Sequence, residues 1–259
     1  MWVPSYTLDS ISPMETPKHN MVEEAIRIVD YATEKNTTLR LLGGLAIRLH
    51  CIIEDFCVRE YSDFDLVGLS EEKESLMKVF EDMGYTPDLR FNALHGHKRL
   101  KFEDHLNDRH VDVFLDHFDM DHDWDLSRRV HVEQYTLPLS DLLLTKLQIC
   151  KINEKDIRDS ITILKDSVLG EEDTPTIINM EYIADICSGD WELYTSVLDN
   201  MKILMNFLDI YPLEDAEKDL VRSRVKTLTH TLITHPKTAK WKLRSAVGKH
   251  LAWCEQVEE

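Results

Sequence analysis

Two aspartates one residue apart, Asp63 and Asp65, constrain the fold of this chain more than any other feature; they lie in the run Tyr61-Ser62-Asp63-Phe64-Asp65-Leu66-Val67. In an extended strand side chains alternate faces, so both carboxylates point one way while Phe64 and Leu66 point the other. Ionised like charges held that close require a cation. Hard carboxylate oxygens favour magnesium, which keeps open positions for water and phosphate oxygens. Upstream, Leu41-Leu42-Gly43-Gly44-Leu45-Ala46 reads as a short strand and a Gly-Gly turn into a helix, with free amides and backbone that a phosphate can approach. Downstream, Val111-Asp112-Val113 reads as a strand that could bring Asp112 to the same edge. Three carboxylates can hold two cations, which clamp the attacking and leaving oxygens of an in-line displacement, and one carboxylate can take a proton from an acceptor hydroxyl. A lone Gly-Gly turn is ordinary turn chemistry, and a lone Asp-x-Asp is often a solvated edge. The order and spacing of all three carry the reading.

Together these motifs resemble the DNA polymerase β-like nucleotidyltransferase superfamily, whose pattern is Gly-Gly or Gly-Ser, then Asp-x-Asp, then a distant strand Asp. Leu137-Pro138-Leu139-Ser140-Asp141-Leu142-Leu143-Leu144-Thr145-Lys146-Leu147 and Asn153-Glu154-Lys155-Asp156-Ile157-Arg158-Asp159 are similar to the helical segment that follows the catalytic sheet in abortive-infection toxin type nucleotidyltransferases and their uncharacterised relatives. The likeness covers roughly residues 38 to 166. It implies a magnesium-dependent enzyme with two ions, moving a nucleoside monophosphate from a nucleoside triphosphate (NTP) to an acceptor hydroxyl and releasing pyrophosphate. Asp63, Asp65 and Asp112 would be metal ligands, with Asp112 also the general base. Lys146 would offset charge on the triphosphate, and Gly43, Gly44, Ser62, Arg59, Asp156 and Asp159 would join it around the nucleotide. One departure is Leu45-Ala46 after the Gly pair, where many members place Ser, so phosphate binding would rest on backbone amides. The acceptor stays open between a small hydroxylated molecule such as an aminoglycoside and a protein or tRNA end. An antitoxin partner or a homodimer is also implied. The alternative is a catalytically inactive nucleotide-binding or interaction module that keeps the fold.

The expected fold class is α+β: a small mixed sheet flanked by helices, followed by an α-helical bundle domain. The 259 residues suffice for a catalytic domain over 18–139 and a helical domain over 140–259, after an irregular arm over 1–17, with a linker near 170–176. The formal charge of −18 repels polyanions, so no extended nucleic-acid groove is expected. Five cysteines, with no Cys-x-x-Cys, read as free thiols in a reducing compartment. No run approaches a membrane span, and the chain reads as cytoplasmic.

Periodicity predicts helices over 19–35, 44–56 and 71–83, the last an acidic surface helix ended by Gly84. Strands are expected over 38–42, 63–68, 98–103, 110–115 and 130–137, with a polar turn at Asn107-Asp108. Helices should follow over 141–151 (N-cap Ser140), 154–169, 179–187, 190–210, 213–230 and 239–257. Phe118 to Asp125 alternates acids like the start of a calcium loop, but Trp124 and Val130 stand where Gly and an acid are needed, so a solvated acidic loop is expected. The twelve histidines lack zinc-hydrolase spacing. Arg128-Arg129 reads as a surface ion-pair partner and Lys101 as a weaker phosphate contact than Arg59, which leads into the catalytic strand. The bland reading of Lys146, Asp156 and Asp159 is a charge network on a helix surface, Asp156 and Asp159 being three apart.

Overall fold

The computed structural model describes residues 16–52, 56 and 59–250. Most of the expected arm, residues 1–15, and the end of the last expected helix, from 251, lie outside the described residues. Helix α1 (Met21–Glu34) starts where the Asn20 side chain accepts from the amides of Val22 and Glu23, and it buries Ala25, Ile28, Val29 and Ala32 at helical spacing. Strand β1 (Leu39–Leu42) follows and runs straight into α2 (Gly43–Leu49). Strand β2 (Asp63–Gly68) sinks Phe64 and Leu66 into the core and leaves Asp63 exposed.

A 3-10 turn and α3 (Lys73–Asp82) lead to β3 (Thr86–Pro87), α4 (Leu89–His95), β4 (Arg99–Asp104) and β5 (Arg109–Leu115). The five strands form one sheet in the order β1-β2-β5-β4-β3. Its β2–β5 pair is parallel and the rest antiparallel, so the sheet is mixed and mostly antiparallel as the sequence implies. Helix α3 is less of a surface helix than its acids predict, because Leu76, Val79 and Phe80 are buried.

Two short strands, β6 (His117–Asp119) and β7 (Asp123–Asp125), replace the expected solvated acidic loop. Phe118 and Trp124 pair across them and are buried, which turns the alternate acids outward. The tip is anchored too: His122 Nε2 lies 2.7 Å from Ser196 Oγ, and the His122 amide donates to Gln148 Oε1 at 3.0 Å. The strand expected over 130–137 does not form. Arg129–His131 is a 3-10 turn, and only Thr136 bridges to Leu41 of β1, because the apolar residues there plug the core singly rather than lining one face.

The C-terminal half is α5 (Leu139–Leu147), α6 (Glu154–Asp166), β8 (Val168–Gly170), β9 (Ile177–Asn179), α7 (Met180–Gly189), α8 (Trp191–Phe207), α9 (Asp215–Thr234) and α10 (Ala239–Val247). Helix α5 is buried almost all round and packs against α2, α6, α7 and α8. Ser140 is not its cap. The cap is Pro138, and the Ser140 hydroxyl instead donates to Asp173 at 2.9 Å and accepts from the Asn179 amide at 2.8 Å. The stretch expected as a linker is thereby held in place as the turn of a parallel β8–β9 pair, with Asp173 also taking a bond from Arg129 at 2.8 Å. Arg129 is therefore an interior partner of Asp173 and Asp141 rather than a surface one. Cys187 is a buried free thiol as expected, but Cys51 and Cys150 are disulfide-bonded, which corrects the reading of free thiols throughout; sequence spacing does not report which sulfurs meet in space. Cys57 and Cys254 lie outside the described residues. No helix among the described residues is long and apolar enough to cross a membrane.

Candidate active site

Asp65 and Asp112 are direct register partners on the parallel strands β2 and β5, and Asp63 shares the face of Asp65 two residues away. The Ser62 hydroxyl donates to Asp63 Oδ2 at 2.9 Å. Among the described residues no hydrogen bond or ion pair reaches the Asp65 carboxylate. Burial pushes this carboxyl up to about 6, opposed by Lys146 and reinforced by the negative charges of Asp112 and Asp63.

The Gly pair is shaped around this centre. Gly43 has φ +69°, and a Cβ on it would lie 2.2 Å from Asp65 Oδ2. A Cβ on Gly44 would lie 2.1 Å from Arg59 Nη2. Gly43 needs glycine because its φ is positive and Asp65 occupies the space, whereas at Gly44 the obstacle is the end of the flexible Arg59 side chain. Gly43→Ala should therefore cost about 2 kcal/mol from backbone strain and displace Asp65. Gly189→Ala, where the added carbon meets nothing within 4 Å, should be near neutral. Thermal unfolding of the two variants side by side checks this, and equal effects would refute it.

Helices α5 and α6 supply the opposite wall. Lys146 Nζ stands 3.1 Å from Asp156 Oδ1 and 3.1 Å from Asp159 Oδ2. Burial alone would lower the lysine pKa, but Asp159, Asp156 and Asp65 together hold it above its ordinary value. Arg59 reaches Asp159 at 3.1 Å and lies over the Tyr61 ring, 4.6 Å from its centroid. Asp156 and Asp159 are thus charge partners of Lys146 and Arg59, and both are buried. The helix-surface network read from their spacing is an interior one.

These groups border a cleft of about 810 Å³. Gly44, Arg59, Ser62, Asp63, Asp65, Lys146 and Asp156 line it, whereas Gly43, Asp112 and Asp159 are not among its lining residues. The sequence reading missed Arg99, Asp121, Lys151 and Lys155, which also line it. Arg99 stacks over Phe114, 4.5 Å from the ring centroid, and grips Asp112 through two nitrogens, Nε to Oδ1 and Nη2 to Oδ2, the second at 2.6 Å. Lys101 stands directly opposite Asp112 in the β4–β5 ladder, with Nζ 3.7 Å from Oδ2. Alternation along β4 puts Arg99 and Lys101 on one face, but only the register shows what they face. A turn centred on Asn107-Asp108 would set Glu103 opposite Asp112; the real ladder pairs Asp104 with Arg109 and brings Lys101 there instead.

The donor set fits magnesium in kind, since Asp63, Asp65 and Asp112 offer only carboxylate oxygens on adjoining strands. Among the described residues no three acidic, His or Cys groups stand close enough together to hold an ion. Asp112 is held by Arg99 and Lys101 on its β4 side.

No protein-family model matches this chain, and no curated protein matches it. Among solved structures, the lincosamide antibiotic adenylyltransferase LnuA, lincomycin-bound, aligns with a TM-score of 0.41 and 15% identity over 55% of this chain and 96% of its own. An antigenic nucleotidyltransferase-like protein from Paracoccidioides brasiliensis aligns with a TM-score of 0.42 and 14% identity over 86% and 97%. The antibiotic-resistance factor ANT(2'')-Ia aligns with a TM-score of 0.32 and 17% identity over 88% and 95%.

Proposed function

We propose that this protein is a magnesium-dependent nucleotidyltransferase that moves a nucleoside monophosphate from an NTP to an acceptor hydroxyl, releasing pyrophosphate. The observation that carries the reading is the register of Asp65 with Asp112, with Asp63 on the same face, Asp63 and Asp65 both lining a large cleft. In a chain of net charge −18, that cleft gathers Arg59, Arg99, Lys101, Lys146, Lys151 and Lys155. Magnesium held by Asp63, Asp65 and Asp112 would supply charge neutralisation at the reacting phosphate and the departing pyrophosphate. Asp112 accepts the proton of the acceptor hydroxyl. Lys146, kept protonated by its neighbours, offsets charge on the triphosphate, while Asp156 and Asp159 position Lys146 and Arg59. Ser62 fixes Asp63, and Gly44 lines the cleft with the Arg59 guanidinium against it.

The overall acidity favours a small hydroxylated acceptor, such as an aminoglycoside, over a tRNA end. Steeply salt-dependent tRNA binding would reverse that preference. A toxin role, with an antitoxin partner or homodimer, belongs to the same reading and would show as a stable complex in size-exclusion chromatography. The grip of Arg99 on Asp112 favours a second reading, a nucleotide-binding module without catalysis, in which a protein cation has taken the metal's place.

Isothermal titration of the four NTPs with magnesium, on wild type and on Asp63→Asn with Asp65→Asn, separates the readings. Magnesium-dependent binding of one NTP, lost in the double variant, supports the enzyme. Binding that survives the double substitution supports the module, and absence of binding by wild type argues against both.

A further inference from the structure

Of the three carboxylates, Asp112 alone is in contact with cationic side chains among the described residues, and the contact is of an unusual kind. Arg99 meets it with two nitrogens on two oxygens, the geometry in which guanidinium and carboxylate bind most tightly and directionally. The guanidinium is also seated: its Cζ lies over the Phe114 ring, 4.5 Å from the centroid, and Nη1 is 3.7 Å from Met120 Sδ. Asp65, the register partner of Asp112, has no such cation among the described residues. A divalent ion shared by Asp65 and Asp112 has to take at least one oxygen that Arg99 now holds. Arg99 would then remain on its Phe114 shelf at the cleft wall with two donors released.

We propose that Arg99 is a built-in counter-ion that competes with the divalent cation for Asp112 and passes to the phosphates of the donor once the cation has displaced it. This rests on the nucleotidyltransferase reading of the site. Cation and triphosphate then bind in mutual support, because each removes what opposes the other: the cation frees Arg99, and the phosphates accept it. Neither should bind well alone. Lys101, a single point charge at 3.7 Å from Asp112 and 4.8 Å from the Phe91 ring centroid, lacks the two-point grip and should contribute much less.

Two measurements on the full chain test this. Manganese titration followed by electron paramagnetic resonance, without nucleotide, should show about tenfold tighter binding in Arg99→Met than in wild type. Arg99→Lys should fall between them, and Lys101→Met should stay near wild type. The reciprocal test is metal-free binding of tripolyphosphate by titration calorimetry. Asp112→Asn releases Arg99 and should bind several-fold tighter than Asp63→Asn, which removes an equal charge from the same cleft without touching Arg99; adding Arg99→Met should erase the gain. Manganese binding by wild type with unchanged or weaker affinity in Arg99→Met overturns the role of Arg99 and leaves the nucleotidyltransferase reading intact. Failure of wild type and Arg99→Met alike to bind manganese, with or without tripolyphosphate, overturns both.

Discussion

In chelator at pH 7.5, Asp65→Asn is expected to unfold about 4–8 °C above wild type, although under the proposed function the same substitution should lower nucleotidyl transfer by about 10³ or more. The reason is linkage. The Asp65 carboxyl ionises near the ordinary value of 3.8 in the unfolded chain and at about 6 in the folded one. The folded state therefore holds a proton that the unfolded state has lost across that window, and stability falls as pH rises from about 4 through 6. Above it, the ionised carboxylate costs about 3 kcal/mol, one pKa unit being about 1.4 kcal/mol. An amide has no such penalty and only the smaller cost of its own desolvation, so a gain of about 2 kcal/mol remains. Thermal unfolding at pH 4 and pH 7.5 checks the sign: the gap should be near zero at the lower pH and open at the higher. A gap that is equal at both, or that reverses, would show that burial does not act on this carboxylate. Magnesium should raise the melting temperature of wild type and leave the variant unmoved.

Lys146→Met should be the opposite case, with stability and function lost together. Among the described residues it leaves Asp156 and Asp159 buried with only Arg59 at 3.1 Å from Asp159 and no cation on Asp156. Removing one partner of a buried charge group typically costs 3–5 kcal/mol, because the remaining charge stays desolvated. The cost should therefore be about 3 kcal/mol, read as a shift of the urea midpoint. Adding Asp156→Asn should restore most of it, since the carboxylate that lost its partner no longer ionises. A cost below about 1 kcal/mol, or no recovery in the double variant, would mean that solvent screens this wall of the cleft.

Local pattern was sufficient where one face of an element is apolar and the other is not. Strand β2 has the same boundaries in the structure as in the reading, because Phe64 and Leu66 alternate with Asp63 and Asp65. Helices α1, α6 and α8 lie close to their predicted spans, each opened by an Asn or Asp whose side chain accepts from the first amides. The pattern misled where apolar residues serve separate contacts. Residues 130–137 look like a strand but turn, and Ser140 looks like a cap but ties Asp173 to Asn179. The acid-rich stretch from Phe118 to Asp125 looks solvated because its charges outnumber the two aromatics that decide its fold.

The sequence by itself determined the α+β class, the facing of Asp63 and Asp65, and the need for a cation or a proton between them, since these follow from strand geometry and like charge alone. Only the tertiary structure decided that Asp112 stands beside Asp65, that Lys146 is locked between Asp156 and Asp159, and that Arg99 holds Asp112. Each of those facts depends on strand order, ladder register or the meeting of distant helices. These are set by how the whole core packs, and a sequence window does not contain them.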